Sequence, residues 1–250
     1  MPVTLPRRLP GCVPRGEGPG RTLGDVLLDP ELENEVAYEL CQLVGRAILP
    51  VRRGGEPGTA FFHQMGTDEF LVTAESADPA DGEIGLRPSV TEPAGVAPGV
   101  LPVPAAWWSR PGASGVAVLP VVRLRERADR EGWRWRTQSV ADGFVAGADT
   151  IDRIGAEPGS AFVLALGVRD DGARPLEVAV ERVVRDGAVV RVTTVLPTGY
   201  VGAPVFGVEA AEGGPALACL GLVLPAVGGG HPLATFDRVR AALTAHPWSP

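Results

Sequence analysis

One segment in the first half of the chain, residues 29–44 (DPELENEVAYELCQLV), places its apolar residues at helical spacing. Asp29 is suited to cap the first turn, and Pro30 suits the first helical position. The apolar side chains that share one stripe are Leu32, Val36, Leu40, Leu43 and Val44. Gly45 is placed to end the helix. The pattern predicts an N-terminal helix over residues 29–45, packed on a core and preceded by a flexible Pro- and Gly-rich leader over residues 1–28.

After residue 45 the pattern becomes that of β-strands. Runs rich in β-branched residues are separated by Gly, Pro or Asp turns: AILPVRR, GTAFFHQ, EFLVTAE, VAVLPVVRLR, AFVLALGVR, LEVAVERVVRDGAVVRVTTVL and ALACLGLVLPA. The Asp186-Gly187 pair is a hairpin signal between two of these strands. We expect loop over residues 79–112, an exposed hairpin or loop over 123–136, and a final helix over 233–244.

Many short strands and few helices predict an all-β fold, either a barrel or a sandwich. A boundary near residue 140 gives two halves of strands. We assign residues 46–140 to a first β-barrel and residues 141–250 to a second β-barrel that carries the final helix.

Composition excludes several classes of function. The formal net charge is −7, which disfavours a nucleic-acid partner because a polyanion requires a concentrated basic face. All 23 basic residues are arginine, which is typical of a protein from a GC-rich bacterial genome. No apolar run is long enough to span a bilayer, so no membrane partner is expected. The three cysteines are widely spaced, which suits the cytoplasm and offers no metal site. No cofactor motif is present.

Three short frames occur in order along the strands, namely Gly58-Thr59-Ala60-Phe61-Phe62 with Leu71-Val72-Thr73-Ala74-Glu75-Ser76, then Gly115-Val116-Ala117-Val118-Leu119, then Gly199-Tyr200-Val201-Gly202-Ala203-Pro204. They resemble the frames of trypsin-like serine proteases, which are Leu-Val-Thr-Ala-x-His, Asp-x-Ala-x-Leu and Gly-x-Ser-Gly-x-Pro. The resemblance covers about residues 46–245. It implies a trypsin-like double β-barrel with an N-terminal helical extension and a C-terminal helix. The alternative is an unrelated β-sandwich with accidental matches.

The departures from this family concern its catalytic residues. In this sequence Ser76 stands in the place of the histidine base, Gly115 in that of the aspartate and Val201 in that of the serine nucleophile. The mechanism requires a hydroxyl, an imidazole and a carboxylate, and all three are missing. The amides of Gly199 to Val201 are the expected place for an oxyanion pocket, which has no use without an attacking group. We therefore expect an inactive pseudoprotease that binds or scaffolds a protein or peptide.

Two alternatives remain open. The first is an enzyme with a relocated site, using Ser114 or Ser76 with His63 as base. His63 is more simply a strand or turn residue that faces solvent or is satisfied locally, and His231, beside three glycines, is the freest histidine. Cys219 is expected to be a buried, inert thiol.

The second open question is the location of the interface. A partner's extended segment is expected to dock in the cleft of residues Gly199, Tyr200, Val201, Gly202 and Ala203 by strand pairing. Otherwise the cleft is filled by the chain's own loops, and the partner binds the helix of residues 29–44.

Overall fold

A computed structural model of the chain describes residues 27–75, 81–110, 114–166, 175–211 and 214–245. Almost all of the leader predicted for residues 1–28 lies outside the described residues. The helices are α1 (Pro30–Val44), α2 (Val121–Arg130), α3 (Ala148–Asp152) and α4 (Phe236–Ala245). The strands are β1 (Ile48–Arg53), β2 (Glu56–Met65), β3 (Asp68–Ala74), β4 (Gly82–Gly85), β5 (Thr91–Glu92), β6 (Val100–Val103), β7 (Val116–Pro120), β8 (Arg134–Trp135), β9 (Val140–Ala141), β10 (Gly159–Leu166), β11 (Leu176–Asp186), β12 (Val189–Val192), β13 (Pro204–Ala211), β14 (Gly214–Val223) and β15 (His231–Thr235).

Helix α1 begins and ends as its sequence predicts, with two differences. The Asp29 carboxylate accepts a hydrogen bond from the Leu32 amide at 2.9 Å, so the cap is formed. Gly45 keeps a right-handed backbone and opens a 3₁₀ turn over Gly45–Ala47 instead of a left-handed cap. A Cβ at Gly45 would lie 3.0 Å from a methyl group of Leu176, so close packing favours glycine there. Leu43 was expected on the buried stripe but is 42% exposed.

Polar contacts fix α1 to the second half of the chain. The Arg182 guanidinium donates to the Glu33 carboxylate at 2.8 Å, and the Ser160 hydroxyl donates to the same oxygen at 2.9 Å. The Leu28 amide donates to the Ser160 hydroxyl at 3.1 Å. These bonds satisfy a carboxylate that the helix buries. The N-terminal extension is thus an integral layer over β10 and β11.

The first half forms a seven-stranded sheet with the order β6-β4-β1-β2-β3-β7, and β9 pairs with β2. Among the described residues this sheet is a half-barrel, whose strands do not form a closed ring as those of the second half do. The loop expected over residues 79–112 contains β4, β5 and β6, so that prediction was wrong for those residues.

The segment predicted as an exposed hairpin at residues 123–136 begins with helix α2. Its buried residues Val121, Leu124 and Ala128 share a helical stripe, and Arg127 pairs with Glu131 across one turn at 2.8 Å. Apolar residues continue from the strand VAVLP into the start of this helix, so the sequence pattern gave no sign of the boundary between β7 and α2.

The second half is a closed barrel of β10, β11, β12, β15, β14 and β13. All eight residues of β10 are buried because the strand has a core on each face. Phe162 and Leu164 pack into the core shared with the first half, whereas Ala161 and Val163 face the barrel interior. Successive side chains of β10 therefore point alternately into two buried cores, whereas in many strands one face points to solvent.

The turn and the last helix of the barrel follow their sequence signals closely. The β11–β12 hairpin forms where the sequence predicted it, but its two turn residues are Gly187 and Ala188, since Asp186 still pairs with Val189. Gly187 has a φ of 59°, the left-handed conformation that glycine favours in such turns. The final helix was expected from residue 233 but begins at Phe236, since residues 231–235 complete β15. No helix among the described residues is both long enough and apolar enough to cross a membrane.

Candidate functional site

The loop that carries Val201 is fixed to the first half by main-chain bonds. It leaves a 3₁₀ turn at Thr198–Tyr200 and enters β13 at Pro204. The Thr59 amide donates to the Val201 carbonyl at 2.9 Å, and the Thr59 hydroxyl donates to the Gly199 carbonyl at 2.8 Å. Thr59 belongs to the first of the three sequence frames, so two frames that are far apart in sequence meet here.

Gly202 can only be glycine in this packing. Its φ is +89°, and a Cβ would lie 2.2 Å from the Thr59 carbonyl oxygen and 2.3 Å from the Thr73 hydroxyl. The same Cβ would lie 3.0 Å from the Ala74 amide nitrogen. The loop is therefore pressed against the end of β3.

Gly115 lies at the same end of β3. The Glu75 amide donates to the Gly115 carbonyl at 2.7 Å. Ser76, the position that follows Glu75, lies outside the described residues. Gly115 has a φ of +71°, and a Cβ there would lie 3.2 Å from a methyl group of Leu224. The structure thus brings together the backbone of Gly115, the Val201 loop and the residue before Ser76, and Leu224 covers Gly115.

The amides near Val201 do not form the oxyanion pocket that the sequence suggested. The Val201 amide donates to the Thr198 carbonyl and the Tyr200 amide donates to the Pro197 carbonyl, each at 2.9 Å. Both bonds close the 3₁₀ turn. A pocket of this kind requires amides aimed at the reacting oxygen, and the amide of Val201 is already occupied.

Most of the predicted cleft residues are buried. Tyr200 is 5% exposed, and its hydroxyl donates to the Glu177 carboxylate at 3.3 Å. Gly199, Gly202 and Ala203 are buried as well, and Val201 alone of the five is partly exposed. Val201 and Leu224 both pack against the core that the second half shares with the first half. The five candidates are together in space, but they do not line an open groove.

His231 is not a free histidine, contrary to expectation. The ring is buried, its Nδ1 donates to the Leu224 carbonyl at 2.7 Å, and its Nε2 accepts from the Leu196 amide at 3.0 Å. A carbonyl requires a donor and an amide requires an acceptor, so these partners select the neutral tautomer with the proton on Nδ1. His231 therefore joins the end of β14 to the segment before the Val201 loop and has no nitrogen left for catalysis.

His63 is also unsuited to act as a base, and of the two environments expected for it, solvent exposure or local satisfaction, the first was wrong. Its Nδ1 donates to the Val140 carbonyl at 2.8 Å, the ring packs 5.0 Å from that of Phe236, and Nε2 is buried without a partner. Burial lowers the pKa of His63 below 6.5, with smaller opposing effects from Val140 and Asp142.

Cys219 is a buried thiol, as expected, and burial raises its pKa far above the ordinary range. No group of three or more His, Cys, Asp or Glu residues in the described part of the chain is placed to hold a metal ion.

The sequence interpretation missed two sets of residues. Leu224 covers Gly115, but nothing in the run GLVLP distinguishes a covering leucine from a core leucine. Arg53, Trp108 and Arg110 form a cluster near Glu75, and only the fold brings Arg53 on β1 close to the segment that carries Trp108 and Arg110.

Comparison with known proteins supports the fold alone. No protein-family model matches the chain, and no curated protein sequence matches it. Among solved structures, it is similar to Deg5, with a TM-score of 0.50, 14% identity, and coverage of 86% of this chain and 94% of that one. It is also similar to the inactive form of the Rv3671c protease, with a TM-score of 0.49, 16% identity, and coverage of 87% and 95%. Mostly β architecture, a half-barrel and a closed six-stranded barrel give this chain the trypsin-like double β-barrel fold.

Proposed function

We propose that the chain is a catalytically inactive trypsin-like pseudoprotease that serves as a binding or scaffolding module for a protein or peptide. The observation that carries this proposal is the state of the Val201 loop. An isopropyl group stands where the frame places a nucleophile, and the Val201 amide donates to the Thr198 carbonyl. Leu224 covers Gly115, where the frame places a carboxylate. The nucleophile position thus holds an apolar side chain, the carboxylate position is covered by Leu224, and the Val201 amide is engaged in the 3₁₀ turn.

The test is covalent labelling with a fluorophosphonate probe, together with assays on peptide and ester substrates. We expect no labelling of the wild-type chain. The matched variant is Val201→Ser, which we also expect to remain unlabelled, because it adds a hydroxyl without a base or a donor pocket. Stoichiometric labelling of any serine in the wild-type chain would refute the proposal.

A relocated hydrolytic site is the rival function. The two histidines that lie among the described residues are both buried, and neither offers an accessible nitrogen to a substrate. General bases of this kind must come within hydrogen-bond reach of the proton they remove. This geometry favours the binding function.

Two faces compete for the partner. Strand pairing beside Val201 needs free main-chain groups, yet the Leu224 amide donates to the Pro232 carbonyl at 2.9 Å and its carbonyl accepts from His231. The Gly202 amide likewise donates to the Val223 carbonyl at 2.8 Å. We therefore place the partner on the outer face of α1, where Tyr38 is 68% exposed.

Paired variants of the full chain separate these faces once a partner has been captured from the native host. Charge reversal at Glu35 and Glu39 on α1 should weaken binding, whereas Val201→Arg should leave it intact. Thermal unfolding of each variant serves as the folding control. If the folded Val201→Arg variant loses binding while the Glu35 and Glu39 reversals keep it, the partner binds the cleft instead of α1.

A further inference from the structure

A cluster of cationic and aromatic side chains lies beside the end of β3. Arg53 ends β1, Trp108 follows a 3₁₀ turn at Ala105–Trp107, and Arg110 lies two residues further on. The Arg53 guanidinium donates to the Ala74 carbonyl at 3.2 Å and lies 4.9 Å from the centre of the Trp108 ring. The cluster therefore adjoins the same strand end that meets Gly115 and Gly202.

Several hydrogen-bond donors of this cluster have no acceptor among the residues that the structure describes. They are Nε and Nη2 of Arg53, Nε and Nη2 of Arg110, and Nε1 of Trp108, and all five atoms are buried. Arg53 as a whole is only 5% exposed. Each buried donor without a partner costs free energy, and a guanidinium cannot relieve this cost by losing its proton.

The charges of the cluster are not balanced. The one ion pair of Arg110 in the described part of the chain is with Glu75, whose carboxylate lies 3.8 Å from Nε, beyond hydrogen-bond distance. Burial lowers the pKa of Arg53, the charge of Arg110 lowers it further, and Glu75 opposes both effects. Two cations thus share one carboxylate, and buried charge of this kind calls for an anionic partner.

We propose that Arg53, Trp108 and Arg110 form a binding site for an oxyanion, a carboxylate or a phosphate group, beside the end of β3 that meets Gly115 and Gly202. The planar fork of a guanidinium matches such a group with two parallel hydrogen bonds, and an indole N–H adds a third donor. The Arg110 side chain is 27% exposed, so the cluster lies near the protein surface rather than deep in the core. The site does not depend on whether the chain is catalytically inactive.

The test is titration of the full chain with sodium phosphate or sodium acetate against sodium chloride at equal ionic strength. Intrinsic tryptophan fluorescence and thermal unfolding report binding, since Trp108 lies against Arg53. We expect a saturable response to at least one oxyanion and none to chloride. The oxyanion that saturates at lower concentration identifies the class of ligand.

Variants connect the response to these residues. Arg53→Met and Arg110→Met should each weaken oxyanion binding by at least about 10-fold, the loss expected for a hydrogen bond to a charged group. The matched control is Arg52→Met, because Arg52 is exposed on the same strand and donates to the Gly55 carbonyl at 2.8 Å. If Arg53→Met does not fold, the partly exposed Arg110 still provides the test.

Three results would overturn the site: an equal response to chloride, unchanged binding in Arg110→Met, or an equal loss in Arg52→Met. None of these measurements uses catalytic activity or probe labelling. Failure of the oxyanion site and failure of the pseudoprotease proposal are therefore distinguishable.

Discussion

Replacement of His231 by phenylalanine tests whether this histidine is a structural link. The variant removes the acceptor of the Leu196 amide and the donor to the Leu224 carbonyl. The hydrogen bond of the Leu196 amide is buried, so leaving this amide unpaired should lower the free energy of unfolding by about 1–3 kcal/mol. The Leu224 carbonyl is partly buried and can turn towards water, so its bond should contribute about 0.5–1.5 kcal/mol. The sum is about 1.5–4.5 kcal/mol, a large share of the roughly 5–15 kcal/mol of a typical domain.

Two further variants remove the bonds one at a time. The side-chain oxygen of glutamine reaches about as far as Nε2, so His231→Gln should keep the Leu196 bond and lose the weaker one. Asparagine reaches about as far as Nδ1, so His231→Asn should keep the Leu224 bond and strand the Leu196 amide. Destabilisation should therefore increase in the order His231→Gln, His231→Asn, His231→Phe.

The assay is equilibrium unfolding in urea, with the free energy of unfolding compared at a common denaturant slope. Thermal midpoints should fall by roughly 2–4 °C for each kcal/mol lost. If glutamine destabilises more than asparagine, or if all three variants lie within about 0.5 kcal/mol of the wild type, the assigned bonds are not what holds this segment.

Two other predictions concern the same region and its neighbour. Gly202→Ala should prevent native packing of the Val201 loop, because its Cβ would lie 2.2 Å from the Thr59 carbonyl oxygen; a soluble variant with wild-type near-UV circular dichroism would contradict the close contact. His63 has a pKa below 6.5 in the folded chain, so the unfolded chain binds the proton more readily and stability should fall as the pH drops below 6.5. Urea unfolding at several pH values should show that the free energy of unfolding depends less on pH in His63→Gln than in the wild type. If the pH dependence is unchanged in this variant, groups other than His63 cause the loss of stability.

Local signals determined the elements that the sequence predicted correctly. The cap at Asp29, the apolar stripe through Leu32, Val36 and Leu40, and the hairpin turn after Asp186 each act over a few residues. The three short frames also placed β2, β3 and β7 and the loop before β13, because their spacing resembles a known fold. These features follow from neighbours along the chain.

The change from strand to helix at Val121 is a feature that local sequence signals could not predict. The run VAVLPVVRLR is apolar throughout its first half, and either a strand or a helix can bury such a run. The helix forms because Leu124 and Ala128 find a core on one side and Arg127 pairs with Glu131. The core that receives Leu124 and Ala128 is available only once the first sheet has formed, whereas the Arg127–Glu131 pair is local to the helix.

The candidate site depended on the tertiary structure for a similar reason. The sequence alone established which residues stand at positions 76, 115 and 201, and this is the basis of the proposal that the protease chemistry is missing. It did not indicate that His231 would bond to Leu196, that Leu224 would cover Gly115, or that Arg53 would meet Trp108 and Arg110. Each of these contacts joins segments that folding alone brings together, and hydrogen bonds and burial depend on distance in space rather than along the chain.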